Sequence, residues 1–280
     1  MNEPLSGAAR ARRSTPVRLA AALWLAVLAI GSPVSAARPF LATEQADPIE
    51  KGSTRLEAGF LHRQFSNDDR LSSLLLELTN GMLNDLDFEV EAPVLFLQSG
   101  SSAENGLGDV SLKTKIRWLR AREGRPVSLA TQFVLKLPTC NKDRLSAFNP
   151  SCTGKTDAGV VGIASKRFRS VDVHVNAGYT MVGGKTIVGP ASARTRSLRD
   201  ALNYSLGFVY NVTRWPQWTA LAEIAGHTST DPADAIHPLT GLIAVSYALD
   251  PAVTLDAGIG RGLTSSAPQL VGSAGATIRF

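Results

Sequence analysis

The sequence predicts an all-β chain: a single transmembrane up-and-down antiparallel β-barrel of about twelve strands behind a cleaved signal peptide. Three observations carry this reading. The N-terminus has the make-up of an export signal, apolar and polar residues alternate at period two in successive blocks after residue 52, and the connections between blocks alternate long and short.

The export signal comes first in the chain. Arg10, Arg12, Arg13 and Arg18 form a basic region, Leu19 to Ile30 is apolar throughout, and Gly31 to Ala36 supplies small residues for cleavage near Ala36. Residues 1–36 are therefore expected to be removed, residues 37–52 to form an N-terminal periplasmic segment, and residues 53–280 to form the outer-membrane barrel. Loss of 1–36 lowers the formal charge from +5 to +2. The basicity belongs mainly to the signal, which excludes nucleic acid as a partner. No later stretch reaches the length of apolar residues that a spanning helix needs.

Candidate strands fall at 53–65, 71–79, 83–95, 107–120, 126–137, 157–168, 171–182, 199–213, 217–227, 239–249, 252–261 and 268–280. In the third, Leu86, Phe88, Val90, Ala92 and Val94 oppose Asp85, Asp87, Glu89 and Glu91. In the fourth, Val110, Leu112, Thr114, Ile116 and Trp118 oppose Asp109, Ser111, Lys113, Lys115 and Arg117. Side chains point alternately to the two faces of a strand, so each has one apolar and one charged face. The connections 96–106, 138–156, 183–198 and 228–238 are long, and 121–125, 169–170, 214–216 and 250–251 are short. Short periplasmic turns and longer external loops have this asymmetry. The sixth and ninth strands alternate poorly, with Gly and Ala on both faces.

At the end of the chain, Leu270, Ala274, Ala276, Ile278 and Phe280 share a face. A last strand closing on Phe280 resembles the signal read by barrel-assembly machinery, which is one expected partner. Tyr179, Tyr204, Tyr210, Trp118, Trp215 and Trp218 suit the aromatic girdles at the two membrane boundaries.

Candidate functional residues centre on the third and fourth strands. In a register whose facing positions sum to 202, Glu89 meets Lys113, Asp87 meets Lys115 and Asp85 meets Arg117. With Asp109, these are the lumen or selectivity candidates. They form either a charged constriction that chooses solutes or a neutralised filling that leaves little open pore. Cys140 and Cys152 flank a polar segment, and export into an oxidising compartment makes a disulfide the expected state. No cofactor or metal site is expected. His174 and Asn176 on one inward face read as lumen lining, and no nucleophile, base and orienting group converge, so no enzyme is expected. Gly154-Lys155-Thr156 has Asn149 where a phosphate-binding loop needs Gly, which rules that motif out. Arg194, Arg196 and Arg199 fit a solvated loop or contact with lipopolysaccharide, which with outer-membrane lipid is the expected surrounding.

Gly106-Leu107-Gly108-Asp109-Val110, followed by Leu112, Lys115 and Trp118, is similar to a proteobacterial outer-membrane family grouped as transporters of the phenol-degradation meta pathway. LKLPT at 135–139, DAGVVGIASKRF at 157–168, VNAGYTMVGG at 175–184, LNYSLGFVYNV at 202–212 and LDAGIGRGLT at 255–264 agree. The resemblance implies an outer-membrane barrel and uptake of small aromatic or apolar compounds, with no catalytic residues to carry over. The loop bearing Cys140 and Cys152 departs from the family pattern. Two readings of function follow: a passive channel for small molecules, or a closed barrel acting through its external loops.

Overall fold

In the computed structural model, the described residues are 41–65, 69–122, 126–140, 152–183, 199–230 and 236–280, together with the backbone of 186–187 and 196–197. The expected signal peptide, Arg194 and the side chain of Arg196 lie outside them.

Twelve antiparallel strands form one closed sheet. They are β1 (Thr54–Gln64), β2 (Arg70–Leu83), β3 (Leu86–Ser99), β4 in two segments (Ser102–Leu107 and Ser111–Leu119), β5 (Val127–Lys136) and β6 (Asp157–Phe168). The remainder are β7 (Val171–Met181), β8 (Ala201–Asn211), β9 (Trp218–His227), β10 (Leu239–Ala248), β11 (Val253–Gly262) and β12 (Leu270–Arg279). Each strand pairs with its chain neighbours, and β1 pairs with β12 to close the ring. Closure leaves no edge, which is what permits strands to cross hydrocarbon without unpaired backbone groups. The seam extends to the last residue, because Phe280 and Thr54 exchange both backbone hydrogen bonds.

The strands follow from alternation. On β8, Leu202, Tyr204, Phe208 and Tyr210 are exposed while Ala201, Ser205 and Val209 are buried. On β10, Ile243 and Val245 are exposed while Leu242, Ala244 and Ser246 are buried. Apolar side chains face outward and small or polar ones inward, the reverse of a water-soluble sheet.

Connection 96–106, expected as a long external loop, is instead strand. β3 and β4 run on to a tight turn at Gly100 and Ser101, with Ser99 opposite Ser102. Gly100 takes a φ of 55°, which its missing Cβ allows. Beyond the membrane both faces of a ladder are wet, so polar residues there mark neither strand nor loop.

The lumen holds apolar clusters as well as charge. Val209, Leu221, Leu242, Ala244 and Val271 are buried together on one wall, with Leu41 and Leu61 against them. At the end away from the termini, Leu71 and Leu95 pack with the Cys140–Cys152 disulfide.

The face assignment predicts that Ile243→Arg, on the lipid side of mid-β10, lowers unfolding free energy in lipid vesicles by about 2–4 kcal/mol. Ile243→Val should change it by less than about 1.5 kcal/mol. Equilibrium unfolding in urea, followed by tryptophan fluorescence, measures both.

Candidate functional site

Residues 41–50, expected to lie in a periplasmic segment ahead of β1, run through the barrel interior. Glu223, buried on the inner face of β9, accepts hydrogen bonds from the backbone N–H groups of Leu41, Ala42 and Thr43 at 2.6, 3.0 and 2.7 Å. The Thr43 hydroxyl adds a fourth at 2.7 Å. Asn176 on β7 brackets the Glu44 peptide: its amide nitrogen donates to the Glu44 carbonyl at 3.1 Å, and its oxygen accepts from the Glu44 N–H at 2.6 Å. Ser165 on β6, itself bonded to His174, accepts from the Ala46 N–H at 2.9 Å. Asp87 accepts from the Ile49 N–H at 3.2 Å.

An irregular strand inside a barrel has no sheet partner, so its N–H groups must be met by side chains. Glu223, Asn176, Ser165 and Asp87 do this. His174 and Asn176 thus line the lumen through the segment they hold. Ala46, fully buried, sits against Ala130 on β5 and Ile163 on β6.

The charged wall of β3 and β4 is built in the register whose facing positions sum to 202. Glu89 lies opposite Lys113 and Asp87 opposite Lys115, while the Arg117 N–H donates to the Asp85 carbonyl. Each cation meets two carboxylates. Lys113 reaches Glu89 at 2.6 Å and Glu91 at 2.5 Å. Lys115 lies 4.0 Å from Asp87 and 3.1 Å from Glu44. Arg117 reaches Asp85 and Asp47, both at 2.6 Å.

Two of the six acids, Glu44 and Asp47, come from the lodged segment, so wall and segment complete one another's charge. Buried charge is tolerated where it is paired in this way. Asp85, in the turn before β3, is held below the ordinary carboxylate range, first by its hydrogen bond from Arg117. On the neighbouring strands Arg55 bridges Glu57 at 3.0 Å and Glu77 at 3.2 Å.

The segment leaves the lumen across Gly81. A Cβ there would lie 2.0 Å from the Glu50 carbonyl oxygen, and the Gly52 N–H donates to the Gly81 carbonyl at 2.7 Å. Between residues 41–44 and the walls of β1 to β4, β11 and β12 a cavity of about 130 Å³ remains, with Glu77, Glu91, Lys113 and Asp256 on its surface.

Asp109 is not part of the ladder. It lies where β4 is interrupted, and its carboxylate accepts from the N–H groups of Cys140 at 3.1 Å, Thr153 at 2.8 Å and Gly154 at 3.1 Å. It anchors the base of the disulfide loop. Alternation put Asp109 on the lumen wall; β4 is interrupted there, and the carboxylate lies 3.5 Å from the inward-facing Lys136 while it holds the loop. Phe280 is 63% exposed at the foot of the seam.

The family model described as "Putative MetA-pathway of phenol degradation" matches residues 42–280. The chain belongs to this family. The match begins within the lodged segment, so the family pattern includes nearly all of it. No curated protein matches the chain. Among solved structures, an outer membrane channel from Pseudomonas putida F1 is similar over 86% of this chain and 100% of its own, at 15% identity and a TM-score of 0.70. The KdgM porin is similar over 81% of this chain and 99% of its own, at 12% identity and a TM-score of 0.52. These likenesses establish the fold, that of outer-membrane β-barrels.

Sequence reasoning missed Glu223, Ser165, Glu44 and Asp47. Glu223 carried a signal: it is an acid on an otherwise apolar inner face, between Leu221 and Ala225.

A single thiol can report the lodging, since both native cysteines are disulfide-bonded. Thr43→Cys is expected to react slowly with a maleimide. Adding Glu223→Ala should speed the reaction at least about tenfold, because each lost bond to a charged acceptor is worth about 1.5–3 kcal/mol. An equal rate in both proteins would show that Glu223 does not hold the segment.

Proposed function

We propose that this family member is a passive outer-membrane channel for small solutes, with aromatic or apolar compounds as the favoured class, and that residues 41–50 close its lumen. The observation that carries the proposal is the lodged segment itself. Eight strands can be filled by their own side chains, whereas sixteen leave a water channel. A twelve-stranded bore has room to spare, and here a length of chain fills it through bonds that can be exchanged for water.

With the segment out, Asp85, Asp87, Glu89, Lys113, Lys115 and Arg117 line the opened path and select among solutes as rings of charge do in channels. The lumen then has a charged wall on β3 and β4 and an apolar wall on β8 to β10, which suits molecules with both characters. The family, together with the channel and the porin among its structural neighbours, supports a conduit rather than a catalyst. Phe280 offers an exposed aromatic to the assembly machinery, and the outer rim, Arg199 included, meets lipopolysaccharide.

A second reading, a closed barrel working through its external loops, is favoured by one feature. Asp109 and the disulfide fix the base of the 140–152 loop, more anchoring than an idle loop requires.

Single-channel recording in planar bilayers separates the two. The chain starting at Ala37 should give small or infrequent conductance steps. A chain lacking residues 37–50, folded by the criterion of heat-dependent gel mobility, should give steady steps several-fold larger. A folded barrel without the segment that stays silent would exclude the passive channel and leave the loop reading. Asp109→Ala should raise protease cleavage of the 140–152 loop several-fold and leave ion selectivity unchanged.

A further inference from the structure

The inward-facing cations of the lower and middle lumen are matched with acids. Arg55, Lys113, Lys115 and Arg117 each have a carboxylate within 4.0 Å, and so do Lys136 and Arg167 at 2.5 Å. Arg63 is different. It follows Arg55, Glu57, Gly59 and Leu61 on the inner face of β1, close to the end of the barrel away from the termini, and is half-buried. Among the described residues no carboxylate pairs with it. Its cross-strand neighbours are Leu71 on β2 and Val271 on β12, 7% and 1% exposed. Leu71 belongs to the cluster around the disulfide and Val271 to the cluster with Val209, Leu221 and Leu242, so Arg63 has an apolar residue beside it on each neighbouring strand. His227, at the outer end of β9, is near enough to feel its charge.

A guanidinium set among apolar side chains without an acid leaves a charge that an entering anion can satisfy. Its planar fork matches a carboxylate in two parallel hydrogen bonds. The flanking leucine and valine clusters offer an apolar body a place out of water. We propose that Arg63 is an anion-binding subsite in the outer half of the lumen, for small carboxylates with an apolar or aromatic body. The proposal deepens the channel reading by naming a solute class, but it rests on the barrel and the unmatched charge alone. Asp85, Asp87, Glu89 and Glu91 lie deeper, so the subsite receives the solute ahead of that acid-rich level.

Equilibrium dialysis of labelled benzoate against the refolded chain in nanodiscs tests binding without reference to conductance, so its failure and that of the channel reading are separable. Saturable binding at one site per chain is expected. Acetate and inorganic phosphate should compete at least about tenfold less well, a difference of about 1.4 kcal/mol. Arg63→Gln should weaken benzoate about tenfold or more while keeping heat-dependent gel mobility. Arg63→Lys, which keeps the charge and loses the fork, should weaken it a few-fold and serves if the glutamine variant does not fold. Absence of saturable benzoate binding, or binding equal in parent and both variants, would overturn the proposal. Competition by phosphate as strong as by benzoate would overturn its apolar half.

Discussion

Closure of β1 on β12 is the constraint from which the rest follows. In hydrocarbon an unpaired backbone group costs several kcal/mol, so the sheet must close. Twelve strands closing on themselves fix a bore that side chains alone do not fill. The chain answers with its own residues 41–50, and the wall is arranged around them. Small inner residues on β5 and β6 make room for Ala46, Gly81 lets Glu50 pass over the rim, and Leu41 completes the apolar wall formed by Val209, Leu221 and Leu242.

The polar side of the arrangement obeys the same logic. Burying Lys115 with Asp87 alone, at 4.0 Å, would leave an ammonium loosely matched. The Glu44 carboxylate from the lodged segment lies nearer, at 3.1 Å. Arg117 is likewise shared between the turn at Asp85 and Asp47. Removing the segment therefore leaves behind not an inert wall but one whose Lys115 and Arg117 have each lost a partner, and water or solute must take that place. This coupling makes the lodged segment part of the chemistry of the pore.

Much of the barrel was legible because its information is periodic and local. Strand positions, one-sided faces and strand count follow from alternation and turn spacing. The β3–β4 register was legible because three acids and three bases at matching intervals leave few ways to pair. The lodged segment was not. Residues 41–50 have no period, and their partners on β3 to β9 are as far as 182 positions along the chain. The bonds from Asp109 to the disulfide loop were hidden for a related reason: alternation does not register a strand that breaks for three residues. Likewise, the turn-rich polar composition of 96–106 hid strand that lies beyond the apolar slab.

The placement of Glu223, Ser165, Asn176 and Asp87 on four different strands has a consequence for assembly. A slip of one residue in the pairing of any of those strands turns its acceptor outward to lipid. The segment then loses that bond and cannot settle fully. Residues 41–50 thus act as a gauge inserted into the finished cylinder. They fit only when distant strands have arrived in register, so a seated segment distinguishes a correctly wound barrel from its misaligned competitors.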